Sequence, residues 1–84
     1  VAVDELTETL AAVQHDIWAH WMRYMFTQGS MQPDGTWVMP AEKVLRWSRQ
    51  MESRYADLSD REQVSDRDQA EKVIAVLFRA DLAL

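Results

Sequence analysis

Residues 15–26 read HDIWAHWMRYMF. Within twelve positions stand two tryptophans, a tyrosine, a phenylalanine, two histidines and an arginine. Either this is the seam of a helical domain or it is the wall of a site, and helical phase divides it. Leu6, Leu10, Val13, Ile17, Trp21 and Tyr24 recur at steps of three and four, the spacing of one helix face. Trp18, Met22 and Met25 widen that stripe. No proline or glycine interrupts it before Gly29. The spacing predicts one long helix over residues 5–27, with Asp4 as its N-cap. Glu5 and Glu8 suit the positive end of the helix dipole. Ile17, Trp21 and Tyr24 are expected inside.

The helical pattern stops at GSMQPDGTWVMP, residues 29–40, which holds both glycines and both prolines of the chain. Asp34-Gly35 is a turn signal, because glycine tolerates the positive φ such turns need. Trp37 to Met39 can pair with Ser30 to Gln32 as a small hairpin. A second helix is expected to open at Pro40, a residue suited to a first turn, and to end near Ser53. Val44, Trp47, Ser48 and Met51 form its expected inward face. Lys43, Arg46, Arg49 and Arg54 form its basic outer surface. Arg54 to Leu58 reads as a connector anchored by Tyr55 and Leu58.

Ser59 and Glu62 have the spacing of a capping box and start a third helix. Ser65 and Asp68 make a second box-like pair. The third helix therefore runs either from Asp60 or, after a short turn, from Asp66. Val64, Ala70, Val73, Ile74, Leu77 and Phe78 supply its expected buried stripe, and Asp81 to Leu84 are expected to fray. The reading is a single domain over residues 1–84, all-α. It is a small three-helix fold with an irregular arm or short hairpin between helices 1 and 2.

Composition limits what such a domain does. Eighty-four residues without cysteine allow no disulfide and no thiolate metal ligand. A chain this short buries only about 60–65% of the surface its unfolded form exposes. Four tryptophans and five methionines supply the apolar bulk, for a core of its own or one completed by a second copy. The net charge of −5 argues against a nucleic-acid polymer as partner, which a basic stripe would mark. The longest apolar run is too short to span a bilayer. The first residues carry acids where a secretory leader has bases, so a cytoplasmic protein is expected.

Chemical motifs are few. His15 and His20, five apart, point about 140° away from each other on a helix. Asp16 and His20 share a face, but two ligands do not make a site, so no metal is expected. The acids between Asp57 and Asp68 alternate with Arg61 and Arg67, as on a solvated surface. No nucleophile–base pair emerges from the spacing, so no catalytic residue and no cofactor are expected. What remains is the interleaving of Trp18, Trp21, Arg23, Trp37, Arg46, Trp47 and Arg49. Flat apolar faces beside guanidinium groups suit a base and a phosphate, so these seven are the candidate ligand-binding residues. Trp21, Tyr24 and Trp47 also fit a core role, whereas Trp18 and Trp37 are less well explained by periodicity.

The order His15-Asp16-Ile17-Trp18, Pro40, Tyr55-Ala56-Asp57-Leu58-Ser59-Asp60-Arg61-Glu62, Ser65-Asp66-Arg67 and Val73-Ile74-Ala75-Val76-Leu77 resembles the repeat domain of ryanodine receptors, over about residues 10–78. That family also occurs as small prokaryotic and phage proteins. Its glycine–tryptophan element is split here into Gly29 and Trp37. The resemblance implies a non-enzymatic helical module that contacts proteins or binds a nucleotide-derived signal. A stand-alone phage member could sequester such a messenger and so evade host immunity. The alternative is a protein–protein or homodimerisation module with no small ligand.

Overall fold

The computed structural model describes residues 2–79. The elements are α1 (Val3–Thr27), β1 (Ser30–Met31), β2 (Trp37–Val38), α2 (Ala41–Glu52), a 3-10 turn (Tyr55–Asp57) and α3 (Asp60–Arg79). This is the expected mostly-α fold of three helices with a hairpin after the first. The expected fraying of Asp81 to Leu84 lies outside the described residues.

Each boundary has a local cause. α1 begins after Ala2, which makes no side-chain cap, so Asp4 sits in the first turn instead of capping it. There its charge still faces the helix dipole. α1 ends where the Gln28 N–H donates to the Met25 carbonyl at 3.0 Å, one residue before Gly29. In the hairpin, Ser30 pairs with Val38 and Met31 with Trp37, antiparallel. The turn is held by Asp34 Oδ1, which accepts from the Thr36 N–H at 3.0 Å and the Thr36 hydroxyl at 2.7 Å. Gly35 takes φ 90°, the left-handed region that side chains resist. Pro40 is the N-cap of α2, and its carbonyl accepts from Lys43 and Val44.

The capping box forms as spaced. The Glu62 N–H donates to Ser59 Oγ at 3.2 Å, and the Ser59 N–H donates to Glu62 Oε1 at 3.0 Å. α3 therefore runs unbroken from Asp60. Ser65 starts no second helix; its hydroxyl donates to the Arg61 carbonyl one turn back.

α1 and α3 pack antiparallel. Val13 and Asp16 lie by Lys72 and Val76 at one end, and Trp21 and Met25 lie by Asp66 and Leu58 at the other. Two helices alone cannot enclose much. Val13, 8% exposed, is the one buried apolar side chain among the described residues, and none is fully covered. The Cα trace spans 48 × 34 × 16 Å. Its thinnest dimension is that of two packed helix layers, Cα cylinders about 5 Å across set about 8–10 Å apart, so no helix is surrounded. The radius of gyration, 16.6 Å, exceeds the roughly 12 Å of a compact domain of this length.

Two expected faces are turned. On α2 the half-buried positions are Lys43, Trp47 and Gln50, while Val44, Ser48 and Met51 are exposed. On α3 the covered seam runs through Glu62, Asp66, Gln69, Val73 and Val76, while Val64, Ala70, Ile74 and Phe78 are exposed. Leu77 is half-buried, as is Val73. Tyr24 is also 40% exposed, so Trp21, Tyr24 and Trp47 do not form a sealed core. The physical reason is common to all: one chain offers more apolar stripe than its three helices can face inward.

Candidate functional site: an aromatic groove

The C-terminal half of α1 meets α2 across an open groove of about 820 Å³. Trp21, Tyr24 and Met25 form one wall, Trp47 and Tyr55 the other, and Asp66 of α3 lies at its edge. Helical phase sets the first wall, since positions 21, 24 and 25 share a face. The rings form one array: Trp21 meets Tyr24 edge-on at 6.2 Å, and Tyr24 meets Trp47 at 6.3 Å with a 52° tilt. Both separations lie in the range of favourable aromatic pairs. Asp66 is half-buried, and its carboxylate makes no hydrogen bond or ion pair among the described residues.

Of the seven residues singled out from the sequence, the structure brings Trp21 and Trp47 together in this groove. Trp18 is 55% exposed, outside the groove, with its ring 5.7 Å from that of His15. Trp37 belongs to the hairpin. It meets Phe26 edge-on at 5.7 Å and lies over Gly29, where a Cβ would overlap its six-membered ring. The glycine and tryptophan that the sequence separates by eight positions are thus in contact. Trp37 Nε1 is shielded and has no acceptor among the described residues.

The arginines stand apart from the rings. Arg49 donates from Nη2 to Glu62 Oε2 at 2.8 Å, tying α2 to α3. Arg23 and Arg46 are exposed, outside the groove lining, and make no ion pair among the described residues. His20 packs edge-on against Trp21 at 4.9 Å and is exposed, as is His15. No group of three metal-ligating side chains occurs among the described residues. Two carboxyls are held below their usual values. Glu62 is lowered mainly by the Ser59 N–H, with the Ser59 hydroxyl and Arg49 adding to it against the cost of burial. Asp34 is lowered mainly by the Thr36 hydroxyl and then by the Thr36 N–H.

Sequence reasoning missed Tyr55 and Asp66 as groove residues. Asp66 had a readable signal, since it stands four residues after Glu62 on the seam that continues through Gln69 and Val73. Comparison with family models, with curated proteins and with solved structures gives no match to this chain. No helix among the described residues is long and apolar enough to cross a membrane.

Proposed function

We propose that this chain is a non-enzymatic binding module whose working surface is the aromatic groove between α1 and α2. One observation carries the reading: Trp21, Tyr24 and Trp47 form a continuous ring array in an open groove. Rings and thioethers with a single carboxylate bind flat apolar surface and are poorly equipped to move protons. The ligand class that fits is a nucleotide-derived signalling molecule in a cytosolic setting. Its base stacks on Trp21 or Trp47, and Arg46 or Arg23 meets its phosphate from outside the groove. The resemblance to the ryanodine-receptor repeat domain supports this class, and a phage protein that sequesters an immune messenger is the form it takes. Calorimetric titration with a panel of cyclic and ADP-ribose-type nucleotides tests it. Heat from at least one member is expected, and none across the panel overturns the ligand reading.

A second reading is a homo-oligomeric interaction module with no small ligand. The exposed apolar side chains of α2 favour it: Leu45 is 73% and Met51 75% exposed on a helix whose stripe predicts a buried face.

A further inference from the structure

We propose that a second copy of this chain covers the open face of α2 and the groove beside it, and that it places a cationic side chain on Asp66. The inference deepens the self-associating reading and rests on it; the nucleotide reading stands or falls separately.

Surface area identifies the occupant. The chain exposes 6682 Å², where a folded monomer of its mass exposes about 5200 Å². The terminal residues outside the description, taken at full exposure, account for at most about 700 Å² of the difference. At least about 800 Å² per chain is left over, the area each partner contributes to a standard interface. Part of that exposure falls on large apolar side chains of α2 and the groove. Val44, Leu45 and Met51 on α2, with Tyr24 and Tyr55 across the groove, are all at least 40% exposed. Large apolar side chains left in water beside one another mark an interaction site. Its shape also fits a like partner. The molecule is a thin slab with an amphipathic helix turned outward, and two such slabs related by a twofold axis bury that helix in both copies at once.

Charge then fixes a detail of the contact. Asp66 is the one ionisable residue with an acidic or basic side chain among the aromatic and apolar lining of the groove. Closing the groove removes its carboxylate from water, which is costly unless a cation arrives with the covering surface. Within the chain, Arg49 and Arg54 already hold Glu62 and Asp57. Arg23 and Arg46 pair with no acid among the described residues, and Arg46 stands on the same exposed helix as Leu45. A twofold contact lets each copy give a guanidinium and receive one.

Sedimentation equilibrium of the full chain, with far-UV circular dichroism as the check on folding, tests both parts. Wild type is expected at a multiple of 9.8 kDa; a monomer mass at all concentrations up to 100 μM, on the order of an ordinary weak-association limit, overturns self-association. Leu45→Glu and Met51→Glu change exposed positions, so helicity is expected to be kept while association weakens by about tenfold or more. Unchanged association in both overturns the proposed face. Asp66→Arg is expected to weaken association about tenfold, and adding Arg46→Asp or Arg23→Asp to restore it. If Asp66→Arg associates like wild type, the cation on Asp66 is overturned while self-association stands.

Discussion

Arg49 Nη2 donates a hydrogen bond to Glu62 Oε2 at 2.8 Å, and this contact joins α2 to the first turn of α3. The same carboxylate closes the capping box with its other oxygen. Glu62 is only 7% exposed, although Arg49 remains half in solvent. One side chain therefore both starts a helix and ties it to its neighbour.

The cap can be separated from the ion pair. Ser59→Ala removes the hydroxyl that accepts from the Glu62 N–H and leaves Arg49 untouched. It is expected to cost about 1 kcal/mol. In a domain of this size that lowers the melting temperature by about 4–8 °C. Thermal denaturation at a fixed protein concentration reads it, because any self-association would otherwise shift the midpoint. A midpoint within a degree of wild type would show that the box does not stabilise α3.

Acid should act through the same residue. The Glu62 carboxyl is held below its usual 4.5. A lowered carboxyl contributes stability that is fully present above the unfolded-state value and is lost as pH falls through the folded-state value. Stability is therefore expected to be flat from neutral pH to about pH 5 and to decline below the usual 4.5, with Asp34 adding in the same direction. Glu62→Gln is expected to be less stable at neutral pH and to show a shallower decline below that point. Melting temperature against pH for the two proteins checks this; parallel curves would remove Glu62 from the acid response.

The Gly29–Trp37 contact gives a third expectation. A Cβ at Gly29 would overlap the indole and crowd the Val38 carbonyl. Gly29→Ala must move either the ring or the strand, and overpacking of this kind costs about 1–3 kcal/mol. Trp37 would leave Phe26 and enter solvent, so the tryptophan emission should shift to the red. A stable variant with unshifted emission would mean that the hairpin closes without this contact.

These relationships differ in how far the sequence declares them. The capping box at Ser59 and Glu62, the Asp34-Gly35 turn and the extent of α1 all depend on residues within a few positions of one another, so local pattern suffices. The faces of α2 and α3 do not. Val44 and Met51 lie on the stripe that periodicity assigns inward, yet Lys43 and Gln50 flank Trp47 on the covered side. Periodicity reports which residues avoid water, not whether their own chain or another supplies the cover. The groove was half legible for the same reason: Trp21 and Trp47 stood out by type, but their meeting through Tyr24 depends on how α2 is set against α1. Arg49 stood out as a phosphate ligand by type, and Glu62 holds it instead. That the resemblance pointed to Trp18 adds nothing about the groove, because the ring lies outside it.

Two tryptophans that sequence reasoning placed in one site are expected to behave differently. Trp47 is half-buried between Tyr24 and the groove, so Trp47→Ala opens a gap in the ring array and is expected to cost about 2–3 kcal/mol, short of the 3–5 typical of full burial. Trp18 is mostly in solvent and its ring contact is with exposed His15, so Trp18→Ala is expected within about 0.5 kcal/mol of wild type. Urea denaturation at one protein concentration measures both. The same pair tests the groove as a binding surface. Any nucleotide that gives heat with wild type should lose it with Trp47→Ala and keep it with Trp18→Ala. The reverse pattern would move the ligand from the groove to the outer face of α1, where Trp18 and His15 lie side by side.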